Sequence, residues 1–235
     1  MNSQQSFNVA ELSSDLFRQF GYNHQNYTLY PQSNHFIEAF DTQTYTDWVN
    51  NRKIGGNRRS LSLYVHIPFC SAICLYCQYN HIITKDQADI KKYLDHLSRE
   101  IRLQGKLFQD DPKVEQLHFG GGTPTYLNEV QLGSIMHEIR QNFNLIQNGT
   151  YFIEIDPRQV TRSQLKTFND MGFNCAVIGV QDFTLQVQQA IHRFQSERDT
   201  LRVIQAAQQE GFKFVRVELI YGLPKQGVKE FEYLL

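Results

Sequence analysis

From Leu61 onward, short apolar runs alternate with longer segments whose apolar residues recur every three or four positions. Short runs bounded by glycine, proline or asparagine are strand signals, and the wider spacing marks a helix with one buried face. On this reading residues 62–67, 114–119, 151–155, 173–180 and 212–220 are strands. Helices are expected over 87–104, 129–143, 161–171 and 197–210, and another begins near Gly227. Within 87–104, Ile90, Tyr93, Leu94, Leu97 and Ile101 fall on one face. Asn128 is suited to cap the helix that follows it, and Gly172 and Gly211 are suited to stop theirs. The run 173–180 is apolar on both faces.

Five rounds of strand then helix predict an α/β fold with a parallel sheet, because parallel neighbours need crossover connections and the helices supply them. In such folds the functional residues collect at the carboxyl ends of the strands. The polar and glycine-rich segments fall there. A cysteine loop follows the first strand, and Gly120-Gly121-Gly122-Thr123-Pro124-Thr125 follows the second. Glu154 and Asp156 end the third, Gln181 and Asp182 follow the fourth, and Glu218 with a Gly-Leu-Pro turn ends the fifth. Residues 1–60 show little periodicity and read as an irregular N-terminal extension, and 61–235 as the core. Within the extension, 52–59 (RKIGGNRR) carries four cations around a glycine pair and reads as a loop, either a solvated linker or a contact for an anionic ligand.

The 23 basic and 24 acidic residues give a formal net charge of −1, so nothing suggests a nucleic-acid partner. There is no apolar run of about 18 residues, so no membrane helix is expected. The polar start, MNSQQSFNVAELSSD, lacks the basic and apolar stretches of a secretory signal, and the expected location is cytoplasmic. That compartment is reducing, so clustered thiols read as a metal or cluster site rather than a disulfide.

Of the four cysteines, Cys70, Cys74 and Cys77 lie together and Cys175 lies alone in an expected buried strand. Iron–sulfur clusters ordinarily take four thiolates. Three would leave one iron of a four-iron cube open, and an open iron can be chelated by the amino and carboxylate groups of a methionine moiety. The alternatives are a zinc held by the three cysteines and a histidine such as His81, or unligated core cysteines. Zinc ligands usually come as two separated pairs, and no second pair is present.

The spacing Cys-x3-Cys-x2-Cys, with Tyr76 before the last cysteine, resembles the signature of the S-adenosylmethionine (AdoMet) radical superfamily. With LSLYVHIPFC (61–70), HFGGGTPTYL (118–127), IEIDPR (153–158), GVQDF (179–183), LIYGLPKQ (219–226) and Tyr27-Thr28-Leu29-Tyr30-Pro31, the chain resembles the oxygen-independent coproporphyrinogen III oxidase family. The resemblance implies a partial (β/α)6 AdoMet radical barrel of about five strand–helix units. It implies a [4Fe–4S] cluster on Cys70, Cys74 and Cys77, with AdoMet near Tyr64, Gly121, Gly122, Thr123 and Glu154. That family places two AdoMet molecules in its site, and Tyr76, Gln181, Arg193 and Glu218 match positions around the second. The implied reaction is oxidative decarboxylation of two propionates of coproporphyrinogen III, giving protoporphyrinogen IX for haem. It would be fed by a donor such as a flavodoxin or ferredoxin and carried out by a monomer. Arg52, Lys53, Arg58 and Arg59 are candidates to meet the substrate's carboxylates.

Three departures from the family stand out. The family has a further cysteine two residues after the third, where this chain has Tyr79; its aspartate in the fifth-strand motif is Glu218 here; and its members are considerably longer. A truncated product is therefore expected. Tyr79 keeps open another AdoMet radical reaction on haem, and related sequences suggest a haem chaperone. An incomplete barrel suggests an inactive remnant.

Overall fold

The computed structural model describes residues 38–51 and 60–234. The 27–31 segment and the cations of 52–59 lie outside the described residues. Contacts divide the chain into Met1–Asp47 and Trp48–Leu235. The division falls within helix α1 (Thr42–Asn50), whose start is stapled by Asp41, a carboxylate that accepts from the Thr44 amide at 2.8 Å.

In the second unit the elements run β1 (Leu61–Ile67), β2 (Phe69–Cys70), β3 (Ile82–Ile83), α2 (Gln87–Leu107), β4 (Lys113–Gly121), α3 (Glu129–Asn142), β5 (Asn144–Ile155), α4 (Arg162–Asp170), β6 (Cys175–Gln181), α5 (Leu185–Ile191), α6 (Glu197–Gln209), β7 (Phe214–Leu219) and α7 (Val228–Leu234). Strands β1, β4, β5, β6 and β7 form one sheet in that order, every pairing parallel. All five strands therefore end on the same rim, as the alternation predicts.

The local signals act as expected. Asn128 closes a capping box with Gln131, and Thr161 does the same with Gln164, so Thr161 caps α4 rather than beginning it. Gly172 and Gly211 sit at φ 98° and 99° just past their helices, a conformation that glycine enters without a Cβ clash. The core lies between the sheet and helices α2, α3, α4 and α6. Leu117, Phe119, Ile153 and Ile178 of the sheet are sealed there with Leu132, Ile139, Leu165 and Phe168 of the helices. Phe119 meets Phe173 edge-to-face at 5.0 Å between ring centres, a favoured aromatic geometry.

Helix α1 lies inside a stretch that reads as irregular, the short β2–β3 pair inside the cysteine loop was not expected, and β5 and α5 also differ from expectation. Strand β5 begins at Asn144, well before Tyr151, and its pairing with β4 slips between Val114 and Gln116. The extra residues include Asn148-Gly149, a turn signal that hides the strand continuing on either side. Helix α5 was not expected at all. Only Val187 and Ile191 of its seven residues are buried aliphatics, too few for a periodic signal. They form a second small core with Leu223, against which Tyr76 and Ile220 pack.

Candidate functional site

The cysteine loop is tied at both ends. Parallel β2 and β3 pair Phe69 with Ile82 and Cys70 with Ile83, and the Ile82 amide donates to the Pro68 carbonyl at 2.7 Å. His66 Nε2 donates to the Asn80 carbonyl at 2.9 Å. Between those ends, the Cys77 amide donates to the Cys74 carbonyl at 3.0 Å, and the Leu75 amide donates to the Ile191 carbonyl at 3.0 Å. Helix α5 thus supports the middle of the loop. All three thiols are partly exposed, whereas Cys175 is buried in β6.

The glycine run lies directly against the loop. The Gly122 amide donates to the Ile67 carbonyl and the Thr123 amide to the Phe69 carbonyl, both at 2.8 Å. The Thr123 hydroxyl donates to Cys70 Sγ at 3.7 Å. A Cβ on Gly122 would stand 2.8 Å from both Cys70 Sγ and the Pro68 main chain, and one on Gly121 would stand 2.6 Å from the His66 ring. Gly121 also has a φ of 109°, so both its space and its conformation call for glycine. Burial pushes the Cys70 thiol up, the Thr123 hydrogen bond opposes that, and the neighbouring Cys77 and Cys74 add to it. Metal binding, which needs the thiolate, would release that proton.

The inward face of the sheet is polar near the rim. His118 Nε2 donates to Glu154 Oε1 at 2.7 Å. Tyr64 lies 5.4 Å from the His118 ring, and burial together with the Glu154 charge pushes its hydroxyl up to about 12. Glu218 is pushed up by burial first and then by Glu154, against the pull of His118, Arg216 and Arg193. Tyr79 is pushed up by burial, then by the charges of Glu154 and Glu218.

On the other flank, Arg193 is 7 % exposed. Its guanidinium donates to the Gly179 carbonyl at 2.9 Å, to Gln195 Oε1 at 3.0 Å and to Cys74 Sγ at 3.9 Å, and stands 3.7 Å from Asp156. It is therefore not the solvated helix-end cation that its position in the sequence allows. Asp156 also takes two-pronged hydrogen bonds from Arg158, at 2.9 and 2.6 Å. Burial alone would raise the Asp156 carboxyl, but those bonds and the two guanidinium charges hold it below its usual 3.8. Tyr76, between Arg193 and Cys74, is raised by burial, with Arg193 opposing and Cys74 adding. Gln181 ends β6 buried, with its Oε1 free of any hydrogen bond, and Thr125 Oγ1 in the glycine-run turn is buried and unbonded as well.

The rim thus gathers Tyr64, Cys70, Cys74, Tyr76, Cys77, Gly121, Gly122, Thr123, Glu154, Gln181, Arg193 and Glu218 from five strands, the cysteine loop, the glycine turn after β4 and the turn after α5. Several partners escaped the sequence reading. His118 alternates with Gly120 in a quoted motif, so the period of two could have placed it beside Glu154. Asp156 was seen at the rim without its arginines. Gln188 sits in a glutamine-rich polar segment that looks solvated, and Gln226 ends the 219–226 motif without any sign of its partner.

The residues suit a cube with one open iron and a sulfonium amino acid. A cube asks each thiolate to meet a different iron, so the sulfurs need not converge on one point. Among the described residues no three His, Cys, Asp or Glu side chains do so. The glycine cradle leaves room where a Cβ would intrude, and Glu154 and the orphaned Gln181 Oε1 offer acceptors to ammonium or hydroxyl donors.

Comparison with known proteins agrees with this chemistry. The radical SAM superfamily profile matches residues 64–235. The chain is 40 % identical over 220 residues to the oxygen-independent coproporphyrinogen III oxidase of Pseudomonas aeruginosa, covering 93 % of this chain and 47 % of that one. It is 36 % identical to the enzyme of that name from Synechocystis, covering 98 % and 49 %. The structure of coproporphyrinogen III oxidase from Escherichia coli, described as a radical SAM enzyme, superposes with a TM-score of 0.81 at 40 % identity, covering 88 % of this chain and 47 % of that one. The chain spans about half the length of the curated relatives it matches. Among the described residues no helix is long and apolar enough to cross a membrane.

Proposed function

Because the chain belongs to the radical SAM superfamily, whose cofactors are a [4Fe–4S] cluster and AdoMet, we propose that it carries the cluster-bearing part of an oxygen-independent coproporphyrinogen III oxidase. The substrate is coproporphyrinogen III, two of whose propionates lose CO2 to give the vinyl groups of protoporphyrinogen IX. A flavodoxin- or ferredoxin-type protein delivers the electrons. Residues 61–235 form the catalytic core and 1–60 an extension, and the cations of 52–59 meet substrate carboxylates. The observation that carries this reading is the cysteine loop itself: three thiols on one loop whose first, Cys70, lies against a glycine cradle, in a chain that aligns over 93 % of its length with an enzyme of that name.

Cys70, Cys74 and Cys77 would hold the cluster. Tyr64, Gly121, Gly122, Thr123 and Glu154 would line the first AdoMet, and Tyr76, Gln181, Arg193 and Glu218 the second. When bound, the cluster supplies the single electron that breaks the sulfonium bond of AdoMet. The chain's own residues do the positioning. Thr123 and Arg193 donate toward the sulfurs of Cys70 and Cys74, and hydrogen bonds of this kind set how readily thiolate-held iron accepts an electron. His118 holds Glu154 through Oε1, which leaves the second carboxylate oxygen to accept from a ligand. Burial, then the Glu154 charge, push the Glu218 carboxyl up. Tyr76, packed on α5, keeps water from the loop.

Tyr79 favours a second reading, a different radical SAM reaction on a haem-like ring, because a phenol stands where the family has a thiol. One anaerobic incubation with AdoMet, a reductant and coproporphyrinogen III separates the two. Release of CO2 with formation of the divinyl product is expected. AdoMet cleavage without CO2 release selects the second reading. A fully loaded cluster that leaves AdoMet intact contradicts both, and stable one-to-one haem binding without cleavage points to a haem carrier.

A further inference from the structure

Gln181 has a φ of 67°, in the left-handed region that a residue with a side chain seldom adopts. Such a conformation persists only where its surroundings over-determine it. Here they do. The Gln181 carbonyl accepts from the Ile220 amide at 3.3 Å. The next residue, Asp182, is 1 % exposed. Its amide donates back to the Val180 carbonyl at 2.8 Å, making a tight turn about Gln181. Its carboxylate accepts from the Thr184 amide at 2.5 Å and from Gln226 Nε2 at 2.7 Å, and its carbonyl accepts from Gln188 Nε2 at 2.9 Å. Gln226 also donates to the Ile220 carbonyl at 2.8 Å and accepts from the Leu223 amide at 3.2 Å. The turns that follow β6 and β7 are thus joined through one carboxylate–amide contact. Beside this bonded network sits one buried acceptor left open, Gln181 Oε1. A buried acceptor without a donor costs free energy until a ligand supplies one.

We propose that Asp182, clamped by Gln226, is the positioning residue that holds Gln181 in its left-handed turn and so presents Gln181 Oε1 to an ammonium or hydroxyl donor of AdoMet. This rests on the function proposed above, because the donor is taken to be the amino or ribose hydroxyl group of that molecule. Asp182 itself touches no ligand and acts through Gln181.

The test uses the full chain with its cluster reconstituted anaerobically, with AdoMet affinity measured by equilibrium dialysis and folding by thermal midpoint. Asp182→Asn sets an amide against the Gln226 amide. It is expected to weaken AdoMet binding about tenfold, the scale of one lost hydrogen bond, and Gln181→Ala is expected to do the same. Combining the two should give no further loss, because Asp182 acts through Gln181. A merely structural role would lower the thermal midpoint while leaving AdoMet affinity in place. Wild-type affinity in Asp182→Asn, or losses that add in the double variant with Gln181→Ala, overturns the inference. Should Asp182→Asn fail to fold, Gln226→Met removes the clamp from the other side and is held to the same outcomes. Absence of AdoMet binding by the unaltered, cluster-loaded chain overturns the functional reading and this inference with it. That result is distinct from one in which the unaltered chain binds and Asp182→Asn binds equally well, which removes the clamp alone.

Discussion

On the β1–β4 side of the rim, the groups that face the cysteine loop are held by main-chain bonds and by the absence of side chains. Gly122 and Thr123 donate from their amides to the carbonyls of Ile67 and Phe69, and a Cβ on Gly121 or Gly122 would enter occupied space. On the β6–β7 side the same task falls to side chains: Asp182, Gln188, Gln195 and Gln226 bond one another and the main chain around Gln181 and Arg193. The first side is fragile to added atoms and the second to deleted ones. On the proposed reading, one side would approach its ligand with bare backbone, which needs room, and the other would present side-chain acceptors and cations, which need anchoring.

Adding one carbon should do the greatest harm. Gly122→Ala places a methyl 2.8 Å from Cys70 Sγ and from the Pro68 main chain, and main chain cannot swing aside. Iron and sulfide retained after anaerobic reconstitution should fall at least about tenfold, a displacement cost above roughly 1.4 kcal/mol. Full occupancy would show that the cradle yields. Next in size is Asp156→Ala on the opposite flank, which strips Arg193 and Arg158 of their shared buried carboxylate. Breaking such a pair should cost about 3 kcal/mol by urea unfolding at neutral pH. The pH dependence follows from the lowered carboxyl. Its stabilisation is whole above 3.8 and is lost as pH falls below that value through the folded pKa, so unaltered and variant chains should converge in stability only in acid.

Gln188→Leu should follow at about 2 kcal/mol, because it leaves the Asp182 and Gln195 carbonyls without their donor. A loss as small as that of an exposed glutamine would mean that water replaces the amide. The smallest effect belongs to Glu218→Gln. A carboxyl whose pKa is raised on folding binds its proton more tightly in the native state, so stability drops as pH rises from 4.5 through the raised value. The amide removes that titration, so the variant should unfold slightly later than the parent at neutral pH and show a flatter profile above 4.5.

The same contrast decides what could be read in the chain. Strand–helix alternation, the caps at Asn128 and Gly172 and the cysteine spacing are local signals, and all of them appear in the fold. The glycine cradle is legible for the same reason, since a run of glycines after a strand already implies close approach. The glutamine network is only partly local. Gln188 lies six residues beyond Asp182, on a helix with two buried aliphatics, whereas Gln226 lies on a loop after the last strand. Only the β6–β7 pairing brings Gln226 to Asp182. Arg193 was legible as a cation but not as a buried one, because its carboxylate partner comes from the end of β5. Tyr79 was legible as a departure, but the charges that act on it were not, because Glu154 and Glu218 come from strands distant in sequence.

The central claim is that three sulfurs and no fourth protein ligand hold a cube whose remaining iron is open to AdoMet. Mössbauer spectroscopy of the anaerobically reconstituted chain, with and without AdoMet, tests it most directly. The account predicts four irons per chain, one of them distinct, with its signal alone moving when AdoMet is added. Four equivalent irons unmoved by AdoMet, or a chain that takes up a single zinc in place of iron and sulfide, would contradict it.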